Sequence, residues 1–165
     1  MRFKANLVVL LLAPLLAAAQ EPVQYELKRD AATTGSRLRS TGATSTLPFD
    51  KPYGELTPIE QARLKAEYES MGPEDEPPYP VAGTKRIWKS LVDAGDRFRE
   101  YGPLTIVVDV DAEGKATQAT VLKTPGKRLG TYMSKVLLEQ RYKGAVCAGT
   151  PCAQQFKFAA EWVEE

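Results

Sequence analysis

The chain contains no histidine. That removes the side chain that most often acts as a general base near neutral pH, and the commonest metal ligand. Catalysis would have to run on carboxylates, lysine, tyrosine or a thiol. Cysteine is scarce, with only Cys147 and Cys152. An excess of charge is lacking as well: Lys and Arg total 22 against 21 Asp and Glu, a formal net charge of +1. No global field therefore draws the chain to nucleic acid or to an anionic membrane. Long hydrophobic runs are missing. The apolar stretch Leu7 to Leu16 contains Pro14 and is much shorter than the roughly 20 residues needed to span a bilayer. There is no G-x-S-x-G, no P-loop, no dinucleotide fingerprint and no histidine-based metal motif. A length of 165 residues leaves room for one ordinary domain plus extensions.

What is present begins with a targeting pattern. Arg2 and Lys4 precede the short apolar run, and Ala17, Ala18 and Ala19 follow it. The pattern predicts a cleaved secretory signal over residues 1–19, with Gln20 or a near neighbour as the mature start. No cysteine follows the small residues, so no lipid anchor is expected. The expected location is periplasmic or secreted, with no stable membrane insertion after cleavage. Disulfides persist there.

Residues 20–50 are rich in Ser, Thr, Gly and Ala. Such a stretch buries too little apolar surface to offset its ordering entropy and reads as a flexible linker, with Asp30 to Ser45 at its centre. Residues 51–100 read as a helical extension packed on the domain that follows. Thr57, Pro58 and Glu60 form a capping box with proline at the first helical position, and Gly72 and Pro73 supply a stop. Pro77, Pro78 and Pro80 then lock an extended segment; Glu74, Asp75 and Glu76 before them read as a solvated acidic loop. "TKRIWKSLVDAG" has helical spacing, with Gly95 a candidate stop, although the pattern can continue through Phe98.

From Gly102 the period changes to two. Leu104, Ile106, Val108 and Val110 alternate, "DAEGK" with Gly114 reads as a hairpin turn, and Ala119 and Val121 share a face of the returning strand. "RLGTYMSKVLLEQRY" returns to helical spacing, and "QQFKFAAEWV" alternates again with Phe156, Phe158, Ala160 and Trp162 on one side. An antiparallel sheet with one apolar face needs covering, and the helices are what is available. The expected class is α+β: a small antiparallel sheet of hairpin, helix and closing strand, covered by helices in two layers.

The chemical candidates thin out quickly. Asp109 to Gly114 starts like a calcium loop, but its twelfth position is Thr120, where a bidentate glutamate is required. Four residues separate Cys147 from Cys152. No second pair or histidine completes a zinc site, the spacing is not C-x-x-C, and no histidine base activates a thiol. A structural disulfide remains, closed by the turn formers Gly149, Thr150 and Pro151. A loop this short is worth about 2 kcal/mol. Tyr142 and Lys143 precede it and read as packing residues. No metal or cofactor is expected.

The run from Tyr101 to Val163 resembles the C-terminal domain of the TonB family. The matching pieces are "GPLTIVVDVDAEGKATQATVLKTPG", the helix through Leu137, "RYKGAVCAGTPC" and "FKFAAEW", with Gly144 where the family often has proline. "EPPYP" is similar to the Pro-Tyr-Pro that precedes the family domain. The resemblance implies a stand-alone TonB-C-terminal-like α+β domain over residues 101–165, without the family's membrane anchor and Pro-rich spacer. It further implies a non-enzymatic binding role, in which an extended segment adds to a sheet edge. The corresponding element is the last strand, with Gln154, Gln155, Phe156, Lys157 and Phe158 as the candidate partner-binding edge. The expected partner is a peptide or protein of the cell envelope, with oligomeric state left open. A structural subunit of an envelope complex without a peptide groove is the alternative, and a hydrolase using Tyr, Lys and carboxylates the remote one.

Overall fold

The computed structural model describes residues 25–27 and 43–161. In chain order, the short strands β1 (Tyr25–Leu27) and β2 (Ala43–Ser45) pair antiparallel, with Tyr25 opposite Ser45. A 3-10 turn, Tyr53–Glu55, leads to helix α1 (Pro58–Lys65). Thr57 caps α1 as the sequence predicts: its hydroxyl accepts from the Glu60 amide at 3.3 Å, and the Glu60 carboxylate accepts from the Thr57 amide at 2.7 Å. The proline segment ends in β3 (Tyr79–Pro80), and helix α2 (Lys85–Phe98) follows. Then come β4 (Pro103–Val110), β5 (Ala116–Lys123), helix α3 (Lys127–Leu138), β6 (Tyr142–Lys143), β7 (Ala145–Cys147), β8 (Thr150–Cys152) and β9 (Gln154–Glu161).

The main sheet has the order β5-β4-β9 and is antiparallel throughout. The alternation of β4 decides its faces. Leu104, Ile106, Val108 and Val110 are buried, and the residues between them are not. Phe156 and Phe158 of β9 lie opposite Val108 and Ile106, on the same buried face. Helices α2 and α3 cover that face with Ile87, Trp88 and Leu91 from one and Leu129, Met133 and Leu137 from the other. A further layer joins them: Phe49, Tyr53, Leu56, Leu64 and Tyr79 belong to the same hydrophobic cluster. Phe158 meets Trp88 at 5.1 Å between ring centroids, and Phe156 lies between Tyr79 and Tyr142. Among the described residues no helix covers the other sheet face, where Thr105, Asp109, Gln155 and Lys157 are part-exposed or exposed, as expected of an antiparallel sheet solvated on one side. The protein is thus an α+β fold.

The "DAEGK" turn is a hairpin, as predicted, and its glycines have a physical cause. Gly114 sits at φ +82°, and a Cβ there would lie 2.0 Å from the Tyr142 carbonyl oxygen. Across the same contact, a Cβ on Gly144 would lie 2.4 Å from the Ala112 carbonyl oxygen. The hairpin tip therefore presses against the backbone of β6, and the Tyr142 amide donates to Gly114 O at 3.0 Å.

Several expectations shift. Helix α1 ends at Lys65 rather than at Gly72, and just beyond it Glu67 and Tyr68 contact Lys157 and Gln155 of β9. Helix α2 takes the longer of the two extents that its spacing allows, passing the buried Gly95 and ending at Phe98. Most of the expected linker lies outside the described residues; within it, Ala43–Ser45 is paired, and Phe49 is buried against Trp88. The expected signal segment and Trp162 lie outside the described residues. Among the described residues no helix is long and apolar enough to cross a membrane, and no cluster of three or more His, Cys, Asp or Glu could hold a metal.

Candidate functional site

Strand β9 carries the candidate edge residues Gln154 to Phe158. It pairs with β4 without a register break from Gln154 opposite Val110 to Glu161 opposite Pro103. Main-chain groups alternate sides along an antiparallel strand. The Tyr68 hydroxyl donates to the Gln155 carbonyl at 2.8 Å from outside the ladder, which identifies the outer row. Gln155, Lys157, Ala159 and Glu161 present N–H and C=O away from β4, whereas Gln154, Phe156 and Phe158 turn theirs inward. The five candidate residues therefore divide. Phe156 and Phe158 anchor the strand in the core, and Gln155 and Lys157 face out.

A groove of about 240 Å³ runs along this outer row. The segment from Ser45 to Leu47 lines it opposite β9, together with Leu64 and Glu67 and the buried Tyr79 and Trp88. The Arg63 guanidinium reaches the Thr46 carbonyl at 3.5 Å, which ties that segment to α1. Lys157 Nζ lies 3.4 Å from Glu67 Oε2 at the surface. Burial raises the Tyr68 hydroxyl above its ordinary value, with the Glu67 carboxylate adding to the shift. The hydroxyl keeps its proton and remains a donor to Gln155. Burial also pushes Tyr79 up to about 12, with Thr84 opposing the shift and Glu60 reinforcing it.

Cys147 and Cys152 form the disulfide, with Cα atoms 5.9 Å apart, closing the β7–β8 hairpin. The acidic segment is not a freely solvated loop. Asp75 Oδ1 accepts from the Ala148 amide at 2.8 Å, and Oδ2 accepts from the Gly72 amide at 2.7 Å. These two backbone donors hold the Asp75 carboxyl below its usual range. Glu76 exchanges two main-chain hydrogen bonds with Val146, each 2.9 Å, and its carboxylate lies 2.7 Å from Lys143 Nζ. The staple and the acidic clamp together fix where β9 begins.

The Tyr142–Lys143 pair is structural. Tyr142 is 4 % exposed and its hydroxyl donates to the Leu137 carbonyl at 2.8 Å; burial raises its pKa. Lys143 Nζ sits 4.9 Å from the Tyr53 ring centroid and pairs with Glu76. Asp109 accepts from the Gln155 side chain at 2.8 Å, and Asp111 from the Lys115 amide at 2.7 Å, so the calcium-like acids serve the hairpin and its neighbour strand.

No protein-family model matches the chain, and no curated protein or solved structure matches it either.

Proposed function

We propose that the protein is an exported, non-enzymatic binding domain of TonB-C-terminal-like architecture that takes up an extended segment of an envelope peptide or protein at the outer edge of β9. The carrying observation is the geometry of that edge. Among the described residues, no strand pairs with the outward main chain from Gln155 to Glu161, which borders an open groove and has the Tyr68 hydroxyl as its one side-chain ligand there. Strand addition draws its affinity from such unpaired main-chain groups. An incoming segment replaces the Tyr68 hydroxyl at Gln155 and follows the groove. The order hairpin, helix, closing strand supports the TonB-like reading, because it is the order that the resemblance implies.

The commitment of Tyr142 to Leu137 and of Lys143 to Glu76 supports a binding role over a hydrolytic one. One observation favours the structural-subunit alternative: Tyr68, Glu67 and the 45–47 wall already crowd the edge.

Crosslinking and capture of the exported protein tests the proposal. The Lys157 amide faces outward, so Lys157→Pro removes a donor from the edge while sparing the β4 ladder. Capture of the partner should be lost in Lys157→Pro and kept in Lys157→Ala. Equal capture by all three proteins would support the structural subunit instead.

A further inference from the structure

The opposite edge of the sheet carries a second surface. The register of β5 on β4, with breaks at Thr105/Ile106 and Asp109/Val110, pairs Thr120 with Val107 and Gln118 with Asp109. Alternation then turns the main-chain groups of Ala119 and Val121 outward. Among the described residues, no helix or loop makes a backbone hydrogen bond to either. Beneath this edge lies a groove of about 380 Å³ between β5 and α3. Val121 and Thr124 line it from the β5 side, and Lys127, Gly130, Ser134 and Lys135 line it from α3. Val121 is 38 % exposed and its neighbour Leu122 64 %.

The charged side chains that line this groove, Lys127 and Lys135, are of one sign, and the nearby Glu100 carboxylate at the first turn of α3 is taken up by the Leu129 amide and Arg128. From Ala116 to Leu138 there is no Asp or Glu, whereas Lys123, Lys127, Arg128 and Lys135 are all present. Arg128 is paired with Glu100. Among the described residues, Lys123, Lys127 and Lys135 have no ion-pair partner. A second copy of β5 paired antiparallel would bring lysines at its ends close to lysines, which disfavours self-association. A nearly neutral chain has thus gathered unpaired cations at an open strand edge with an apolar seat.

We infer that the outer edge of β5 and its groove against α3 bind an acidic extended peptide by strand addition. A residue paired with Val121 drops its side chain into the groove, which suits a small aliphatic group. Residues two before and two after it project to the same side. Carboxylates at those places lie about 13 Å apart, and Lys127 and Lys135 lie about 12 Å apart along the α3 axis. The recognised pattern is acid-x-aliphatic-x-acid. This surface is independent of β9.

The test uses the full exported protein and a synthetic peptide, Thr-Glu-Thr-Val-Thr-Glu-Thr. One control is the same peptide with lysine for glutamate; the other is a scramble that puts the acids on the opposite face from valine. Binding is read by calorimetry and by amide exchange. The acidic peptide should bind, slow exchange at Ala119 and Val121, and weaken with salt. The lysine control, the scramble, and the protein variant Lys127→Glu/Lys135→Glu should each bind about tenfold more weakly. Ala119→Pro removes an outward amide without touching the β4 ladder and should abolish binding with an unchanged circular dichroism spectrum. Should that variant unfold, slowed exchange at Ala119 and Val121 in the wild type decides the matter. Lys157→Pro should leave this peptide's binding unchanged even if partner capture at β9 fails. Equal binding of the scramble, binding without protection of Ala119 and Val121, or binding of only duplex DNA or anionic phosphatidylglycerol vesicles through the same lysines would overturn the inference.

Discussion

The two outer edges of one three-stranded sheet have been treated differently by the rest of the chain. At β9 the Tyr68 hydroxyl caps an outward carbonyl, Glu67 pairs with Lys157, and residues 45–47 form a wall. At β5, among the described residues, no backbone group from outside the sheet bonds the outward amides, and the charged residues lining the groove beneath them are lysines. An unpaired edge is a template for association. Protection by the protein's own residues makes an edge selective, because a partner must displace them. Protection by like charge makes it selective in another way, because only an acidic segment approaches. Strand β9 is also the more deeply founded of the two: Phe156 is 3 % exposed, whereas Val121 of β5 is 38 % exposed.

That difference can be broken by mutation. The largest effect is expected from Phe156→Ala, which removes a ring packed against Tyr79 and Tyr142 and should lower stability by about 3–5 kcal/mol in denaturant titration. Val121→Ala, the corresponding deletion at the open edge, should cost well under that, about 0.5–1 kcal/mol. Equal costs would mean that the edges are equally buried in solution. Next comes the staple. Cys147→Ser/Cys152→Ser should cost about 2 kcal/mol in thermal unfolding and should speed amide exchange at Val146 and Glu76, leaving β5 untouched. Tyr68→Phe should cost about 1 kcal/mol while strengthening partner capture at β9, since the intramolecular competitor is gone. Stronger destabilisation with weaker capture would make Tyr68 part of the binding surface itself.

The smallest effect is a pH dependence at the β5 side. Glu100 Oε2 accepts from the Leu129 amide at 2.7 Å, and Arg128 Nε lies 3.2 Å from its other oxygen. The Leu129 amide, followed by Arg128, holds the Glu100 carboxyl below its ordinary 4.5. A lowered folded-state value means that the carboxylate stabilises fully above 4.5 and is lost as pH falls through the depressed value. The first turn of α3 should therefore fray on acidification, read as faster exchange at Leu129, and Glu100→Gln should remove the pH dependence. The carboxyl of Asp75 is lowered by the Ala148 and Gly72 amides, so the clamp beside β9 should loosen in the same direction. An NMR titration of both carboxyls checks the pair.

What could be read from the residues was local. The capping box at Thr57, the alternation of Leu104 to Val110 and the Cys147–Cys152 pair depend on neighbours a few positions apart, where spacing itself is the signal. The contacts that shape the site are distant. Tyr68 meets Gln155 across 87 positions, Asp75 meets Ala148 across 73, and Glu100 caps α3 at Leu129 across 29. Each joins a side chain to a backbone group, and backbone groups leave no mark in a sequence. The end of helix α1 is a similar case: Gly72 is a visible stop, but the contacts of Glu67 and Tyr68 with β9 are not visible in the sequence. The charge segregation around β5 was legible, as a run without Asp or Glu from Ala116 to Leu138. Its meaning needed α3 folded back against β5.

Amide hydrogen exchange on the captured complex tests the central claim most directly. Strand addition at β9 predicts that the outward amides of Lys157 and Ala159 exchange rapidly in the free protein and become strongly protected in the complex, while the inward amides of Phe156 and Phe158 stay protected in both. A complex in which Lys157 and Ala159 exchange as fast as in the free protein would contradict it.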